Sequence, residues 1–147
     1  MNYTSIEQSK KLLELGMSPE TADMHYGNMC VKGLGYSDLF RAGLSSYEEA
    51  VRNYDNIKKE YHVEKYEGIV AWEVLPCWSV GALLEIMPII IRKDKRHYYT
   101  LHIIGHRKVI YAKNRCVFHK EIARPLIDAC YNMVVWLLEN NFIKKRE

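Results

Sequence analysis

The spacing of apolar residues along the chain changes at Pro88, from a helical period before this residue to a period of two after it. Residues 89–93, 97–104, 108–112 and 115–119 are β-branched or alternating segments separated by short turns. This pattern predicts an antiparallel meander of three or four strands, with Tyr99, Leu101 and Ile103 on one face of the second strand.

A strongly apolar helix is predicted after the last of these strands. It begins at Pro125, ends at Asn140 and Asn141, and carries a wide apolar stripe. Antiparallel sheets usually bury one face, so we expect this helix to cover one face of the meander.

Two helices are predicted near the N-terminus. Thr4 and Glu7 have the spacing of a capping box for a first helix that ends at Gly16, and Ser18 with Pro19 opens a second short helix that ends near Met24. This spacing is also that of a DNA-binding helix-turn-helix. The exposed face of the second helix would carry Glu20, Thr21 and Asp23 but no Lys or Arg, so a plain helical corner is favoured.

The middle of the chain is predicted in less detail. Residues 26–44 contain four glycines and are interpreted as a long irregular connection. Ser46 and Glu49 predict a third helix through about residue 60, residues 63–75 a weak strand that ends at Pro76, and Ser79 a helix over residues 80–87.

Together these elements predict one α+β domain over residues 1–147. It consists of an antiparallel three- to four-stranded meander covered by a C-terminal helix, with a mainly helical part at 1–62 and a sheet-and-helix part at 63–147. A chain of 147 residues with 48% apolar and 27% charged residues belongs to the ordinary globular class. Such a domain folds without a metal or a disulfide.

The cysteines and the N-terminus predict a cytoplasmic protein. Four cysteines occur without a C-x-x-C pair, so four reduced thiols are expected, and the first residues have no signal-peptide pattern. The most apolar run, at residues 80–91, is interrupted by Glu85 and Pro88 and is too short for a membrane helix. We therefore expect no membrane partner.

Charge is strongly segregated along the chain. Residues 89–120 contain nine Lys or Arg and one Asp, a net charge of +8, whereas the rest of the chain carries −5. These cations alternate with Tyr98, Tyr99, Tyr111 and Phe118, a combination that can hold phosphates and stack bases. The alternative is a solvated sheet face with basic residues at turns and edges. The candidate nucleic-acid-binding residues are Arg92, Lys93, Arg96, Arg107, Lys108 and Arg115.

No catalytic, cofactor-binding or metal site is predicted. His97, His102, His106 and His119 lack the spacing of zinc ligands, and Cys77 is interpreted as a buried structural cysteine because no general base can be assigned to it. Glycine-rich phosphate loops, paired catalytic carboxylates and serine-elbow motifs are absent from the sequence.

Distinctive motifs lie at both ends and in the middle of the chain, at residues 5–12, 18–24, 76–79, 83–88 and 128–140. They resemble those of a family of small uncharacterised proteins from prophages and mobile elements of gut bacteria. The resemblance implies a bacterial or phage origin and an intracellular protein, and it implies no activity.

These observations favour a non-enzymatic accessory protein of a mobile element that binds a macromolecule, either protein or nucleic acid. Nucleic-acid binding through residues 89–120 is one alternative, and a small enzyme with dispersed catalytic residues is another. The final helix is apolar around more than half its circumference, at Val135, Trp136 and Leu138 among other residues, and this width is compatible with a homodimer through that helix.

Overall fold

The protein, seen in a computed structural model, is described over residues 2–31, 41–60 and 69–146, with the backbone alone described for 28–31, 41–42, 54–60 and 69–73. Its strands form two antiparallel sheets with the orders β2-β1-β3 and β4-β5-β6-β7. The helices are α1 (Ile6–Glu14), α2 (Tyr47–Glu60), α3 (Val80–Ile86) and α4 (Leu126–Glu139), with a 3₁₀ turn at Pro19–Thr21. The strands are β1 (Met24–Val31), β2 (Arg41–Gly43), β3 (Ile69–Cys77), β4 (Ile90–Arg92), β5 (Tyr98–Ile104), β6 (Lys108–Lys113) and β7 (Cys116–Ile122).

The predicted meander and its covering helix are confirmed. Strands β4 to β7 pair in sequence order, for example at Ile91 with Tyr99 and at Leu101 with Tyr111. Helix α4 packs on one face of this sheet, which buries Val109 and Tyr111 against the helix and leaves the other face uncovered by α4. The fold class is therefore α+β, as the sequence predicts.

One hydrophobic core joins the two ends of the chain. Leu12 from α1, Trp78 and Leu83 pack with the buried stripe of α4 and with the sheet. Trp78 is fully buried, and its indole N–H donates to the hydroxyl of Thr21 at 2.9 Å. None of the helices in the described ranges combines the length and the apolar character that crossing a bilayer requires.

The wide apolar surface of α4 packs against residues of the same chain. Leu138 is fully buried, Val135 packs against the core, and Trp136 stacks on Phe142 with ring centroids 5.2 Å apart. The homodimer stays a prediction, but the helix face that suggested it is occupied by residues of the same chain.

Of the second sheet only β3 was predicted, as the weak strand over residues 63–75, and it continues through Pro76 to Cys77. Residues 26–44 were expected to be irregular and residues 1–62 mainly helical. Strands β1 and β2 lie in this part of the chain instead, and they form an antiparallel pair, for example at Gly27 with Arg41. Strand β1 also pairs with β3 from Met24 with Cys77 to Val31 with Ile69, a pairing of residues far apart in the sequence. A local pattern carries little information on such a pairing. Residues 32–40 of the expected connection lie outside the described residues, as do residues 61–68.

The predicted second helix is wrong in extent. The chain makes one 3₁₀ turn, in which the amide of Ala22 donates to the carbonyl of Pro19, and β1 starts at Met24. The residues at 18–19 do begin a helical turn. It does not extend further because β1 starts only a few residues later. Because a single turn cannot act as a recognition helix, the helix-turn-helix interpretation fails as well.

The N-cap of α1 is Ser5 and not Thr4. The hydroxyl of Ser5 accepts from the amide of Gln8, and the Gln8 side chain accepts from the Ser5 amide, which completes a capping box one residue later than predicted. Thr4 is fully buried instead, where its hydroxyl accepts from the amide of Trp78 at 3.0 Å and bonds the Ser9 hydroxyl at 2.8 Å. The caps at Ser46 and Ser79 are as predicted, whereas the Ser18 side chain makes no capping hydrogen bond to the turn that follows it.

Candidate binding surface on the four-stranded sheet

Alternation along the strands divides the four-stranded sheet into two faces. Ile91, Tyr99, Leu101, Val109 and Tyr111 point to α4 and the core, as predicted for Tyr99 and Leu101 of β5. Ile103, predicted on the same face, pairs with Val109 but is 44% exposed and lies outside the core. Their neighbours point away from the core and form what we call the outer face. Following the strand registers, the outer face consists of Ile90, Arg92, Tyr98, Thr100, His102, Ile104, Lys108, Ile110, Ala112, Val117, Lys120 and Ile122.

A β-bulge at Phe118 sets the faces of β7. Tyr111 pairs with His119 and Ala112 pairs with Val117, so Phe118 has no partner on β6. Both Phe118 and His119 therefore contact the inner side. Phe118 stacks on Tyr99 with centroids 4.5 Å apart, and His119 stacks on Trp136 at 4.0 Å.

The aromatic residues are divided unequally between the two faces of the sheet. Of the four that were predicted to alternate with cations, Tyr99, Tyr111 and Phe118 lie on the inner side within the core cluster. Tyr98 alone is on the outer face, and the ammonium nitrogen of Lys113 lies 3.9 Å from its ring centroid. The guanidinium of Arg92 lies 6.0 Å from the same centroid, so this ring already contacts two cations.

The outer face exposes large apolar side chains. Ile90, Ile104, Val117 and Ile122 are each about half exposed, with fractions from 48% at Ile90 to 53% at Val117. Ile104 and Ile122 flank Lys108 across β5, β6 and β7, and Ile90 and Val117 lie at the two ends of the row through Thr100 and Ala112. A sheet face that only meets water is usually polar at these positions, so the pattern indicates a surface with a partner.

The charge of the outer face has one sign. It carries Arg92, Lys108 and Lys120, and none of its twelve side chains is a carboxylate. The nearest acid in β7, Glu121, belongs to the inner side, where His119 bonds it at 2.7 Å. The nearest acid in the β4–β5 turn is Asp94. A hydrogen bond from His97 and the amides of Arg96 and His97 lower the pKa of Asp94 to about 2.

The six predicted binding residues do not form one patch. Arg92, Lys93, Arg96 and Arg115 lie at the end of the sheet that carries the β4–β5 and β6–β7 turns. Arg107 and Lys108 lie at the opposite end, beyond strands of seven and six residues. At about 3.4 Å per residue, the two groups are roughly 20 Å apart. The predicted antiparallel meander already implies this separation, because successive turns of a meander lie at opposite ends of the sheet.

Two further cations complete the surface, and the sequence analysis did not single them out. Lys120 pairs across from Ile110 in the middle of the outer face. Arg124 joins His106, Arg107 and Lys108 around a cleft of about 370 Å³ at one end of the sheet. Lys120 was missed because β7 was expected to end at residue 119, before its alternation could be followed.

Two larger clefts lie among the described residues. One of about 730 Å³ lies beside Ser79, His106 and Arg124, and another of about 730 Å³ is lined by Glu20, Asp23 and Glu85 among others. A hydrogen bond from the Ser18 hydroxyl lowers the pKa of Glu20. Among the described residues, the pKa values raised most belong to the buried groups Tyr26, Cys77, Tyr111 and Cys130, which line neither cleft. The small-enzyme alternative stays a prediction.

Two of the cysteines are protected by burial. Cys77 and Cys130 are fully buried, and this burial raises the pKa of each thiol to about 11. The Cys77 thiol also donates to the carbonyl of Thr4. Both features fit the structural role predicted for Cys77. Cys116 is exposed at the start of β7, and the side chain of Cys30 lies outside the described residues.

Thiol alkylation of the native protein should separate these groups. We expect Cys116 to react with iodoacetamide at least about 100-fold faster than Cys77 and Cys130, because the thiolate is the reactive form and burial both hides and neutralises it. Mass spectrometry of peptides from a time course would measure the rates. Without reductant, all four thiols should react after unfolding, and a native rate for Cys130 equal to that of Cys116 would contradict the packing of α4.

Comparison of the chain with protein-family models, with curated proteins and with solved structures found no match.

Proposed function

We propose that this chain is a non-enzymatic accessory protein of a bacterial mobile element, that it acts in the cytoplasm, and that it binds a macromolecule through the outer face of its four-stranded sheet. One observation carries the proposal. Half-exposed Ile and Val side chains and three cations share the outer face, and no carboxylate neutralises them there. Exposed apolar area with charge of a single sign is typical of an interaction surface.

The proposal explains why large apolar residues occupy solvent-facing positions of this sheet. A solvated outer face commonly carries Thr, Lys or Glu at positions such as Ile104, Val117 and Ile122, which point away from the core. The exposed half of each of these side chains contributes hydrophobic free energy only when a partner removes it from water, at about 25 cal/mol per Å².

The test uses three probes and one matched pair of variants. The probes are a single-stranded DNA of about 20 nucleotides, an RNA duplex of about 20 base pairs, and an acidic amphipathic peptide of about 16 residues. In Lys108→Glu/Lys120→Glu, both changes fall on the outer face. Lys144→Glu/Lys145→Glu makes the same charge change in the C-terminal tail, where the backbone of Arg146 bonds Gly16.

We expect at least one probe to bind tighter than about 10⁻⁴ M near physiological salt, and to lose about tenfold or more in affinity in the outer-face variant. The tail variant should stay within about twofold of the original chain. Fluorescence anisotropy of the probes measures the affinities of the original chain, the outer-face variant and the tail variant. If no probe reaches this affinity, or if both variants weaken binding equally, the outer face is not a binding surface.

Nucleic-acid binding is the second candidate function, and the cation cluster at one end of the sheet favours it. Arg107, Lys108 and Arg124 surround the cleft of about 370 Å³, and Pro125 ahead of α4 has no side chain to cap the first amides of that helix. Cations and free helix amides are the groups that hold phosphates.

Salt dependence tests this candidate. If the cluster neutralises phosphates, affinity for DNA or RNA should fall with a log–log slope of about −0.7 to −0.9 per phosphate contact. Arg107→Glu/Lys108→Glu should then reduce that slope by about two contacts, whereas Lys144→Glu/Lys145→Glu should leave it unchanged. Equal slopes in both variants would rule out this cluster as the phosphate-binding site.

A further inference from the structure

We infer that the partner of the outer face is an acidic amphipathic helix of about 14 residues, supplied by another protein. This inference rests on the proposed function and names the class of its partner. Three observations carry it: the dimensions of the sheet, the kind of apolar side chain exposed, and the sign of the charge.

The dimensions come from the covered side of the same sheet. Helix α4 has 14 residues, about 21 Å in length, and it packs against β6 and β7 on the inner face, where residues of α1 and α3 join it in the same core. The outer face belongs to the same four strands, whose outermost axes are about 14 Å apart at the usual strand spacing. One helix of about 10 Å diameter therefore fits across this width, and a helix of the length of α4 matches its long dimension.

The exposed apolar side chains favour a helix over nucleic acid. Ile104, Val117 and Ile122 are branched aliphatic residues, which pack against Leu, Ile or Met side chains of a helix. Single-stranded nucleic acid binds by stacking its bases on aromatic rings. Tyr98 is the one Tyr, Phe or Trp of the outer face, and it already contacts Lys113 and Arg92. The imidazole of His102, also on this face, bonds the Thr100 hydroxyl at 2.8 Å.

The positive charges of the outer face favour an acidic partner helix. Arg92 lies at one end of the outer face, Lys120 in the middle, and Lys108 near the other end between Ile104 and Ile122. A partner with an apolar stripe and flanking Glu or Asp residues would satisfy all three cations. A second copy docked by its own outer face would bring three more cations against them, and like charges at an interface disfavour association.

The experiment compares three labelled peptides of about 16 residues. The first has leucine along one helical face and glutamate beside it, the second has the same composition in scrambled order, and the third has lysine in place of glutamate. Each is titrated with the original chain, with Lys108→Glu/Lys120→Glu, with Ile104→Asn/Ile122→Asn and with the tail control Lys144→Glu/Lys145→Glu. Thermal unfolding of each variant checks that the fold is kept.

We expect the acidic amphipathic peptide to bind at least about tenfold tighter than the scrambled and lysine peptides, and to lose about tenfold in each outer-face variant while the tail control is unaffected. An acidic peptide that binds no better than its scrambled form would overturn the inference. If the single-stranded DNA binds instead and loses affinity in the same variants, the helix partner is wrong and the proposed function stands. If no probe binds, both fail. Self-association of the free chain that both outer-face variants abolish would identify a second copy as the partner and would also overturn the inference.

Discussion

Replacing Thr4 by valine is expected to lower the free energy of unfolding by about 2–4 kcal/mol. Valine has nearly the same shape as threonine, so the packing around this fully buried side chain is retained. What is lost is the hydroxyl, which accepts from the amide of Trp78 and bonds the hydroxyl of Ser9. The two groups would then be buried without these partners, at about 1–3 kcal/mol each.

Two further substitutions separate this account from a capping role for Thr4. Thr4→Ser keeps the hydroxyl and removes one methyl group, so it should cost only about 1 kcal/mol. Ser5→Ala removes the true N-cap and should also cost about 1 kcal/mol. Urea unfolding with linear extrapolation measures all three. If Thr4→Val costs no more than Thr4→Ser, the buried hydroxyl does not join the N-terminal segment to the start of α3.

A second large effect is expected at alkaline pH. Cys77 and Cys130 have pKa values raised to about 11 by burial, whereas the unfolded chain ionises near the ordinary value of about 9. A group whose pKa is higher in the folded state stabilises the fold below its unfolded pKa, and this contribution is lost as the pH rises through the folded pKa. The free energy of unfolding should therefore fall between pH 9 and pH 11, by about 2–3 kcal/mol for each thiol. Burial also raises the pKa values of Tyr26 and Tyr111, which adds to the loss at still higher pH.

The control for the alkaline effect is Cys130→Ala. This variant has only one of the two described buried thiols, so its loss of stability between pH 9 and pH 11 should be smaller by about 2–3 kcal/mol, whatever the substitution costs at pH 7. Urea midpoints across this range provide the comparison. An original chain whose stability is constant from pH 8 to pH 11 would show that the two thiols are not buried.

The meander could be predicted because its paired strands are neighbours in the sequence. Each of its strands pairs with the next, across turns such as the one at Gly105, and the apolar alternation of β5 correctly placed Tyr99 and Leu101 inside. Strand β1 pairs instead with β3, more than 35 residues away, and residues 26–44 contain glycines that mark turns when only their neighbours are considered. The sequence therefore predicted one sheet correctly and only one strand of the other.

The candidate surface was predictable in composition and only partly in arrangement. Segregation of charge singled out the strands that carry Arg92 and Lys108, and their role in binding stays a prediction. The separation of Arg92 from Arg107 follows from the predicted meander, because successive turns lie at opposite ends of the sheet. The bulge at Phe118, which brings two successive residues of β7 to the inner side, depends on three-dimensional structure. A strict alternation through β7 would have placed either Phe118 or His119 on the outer face.

The most direct test of the outer face is a methyl NMR titration with isoleucine as the probe. Ile90, Ile104, Ile110 and Ile122 lie on the outer face, whereas Ile91 and Ile127 are buried on the other side of the sheet. On addition of the acidic amphipathic peptide, we expect the four outer-face methyl signals to shift together with one affinity and the two buried signals to stay within about a fifth of those shifts. Shifts at Ile91 and Ile127 with no change at Ile104 and Ile122, or no shift at any of the six, would contradict the assignment of the outer face as the binding surface.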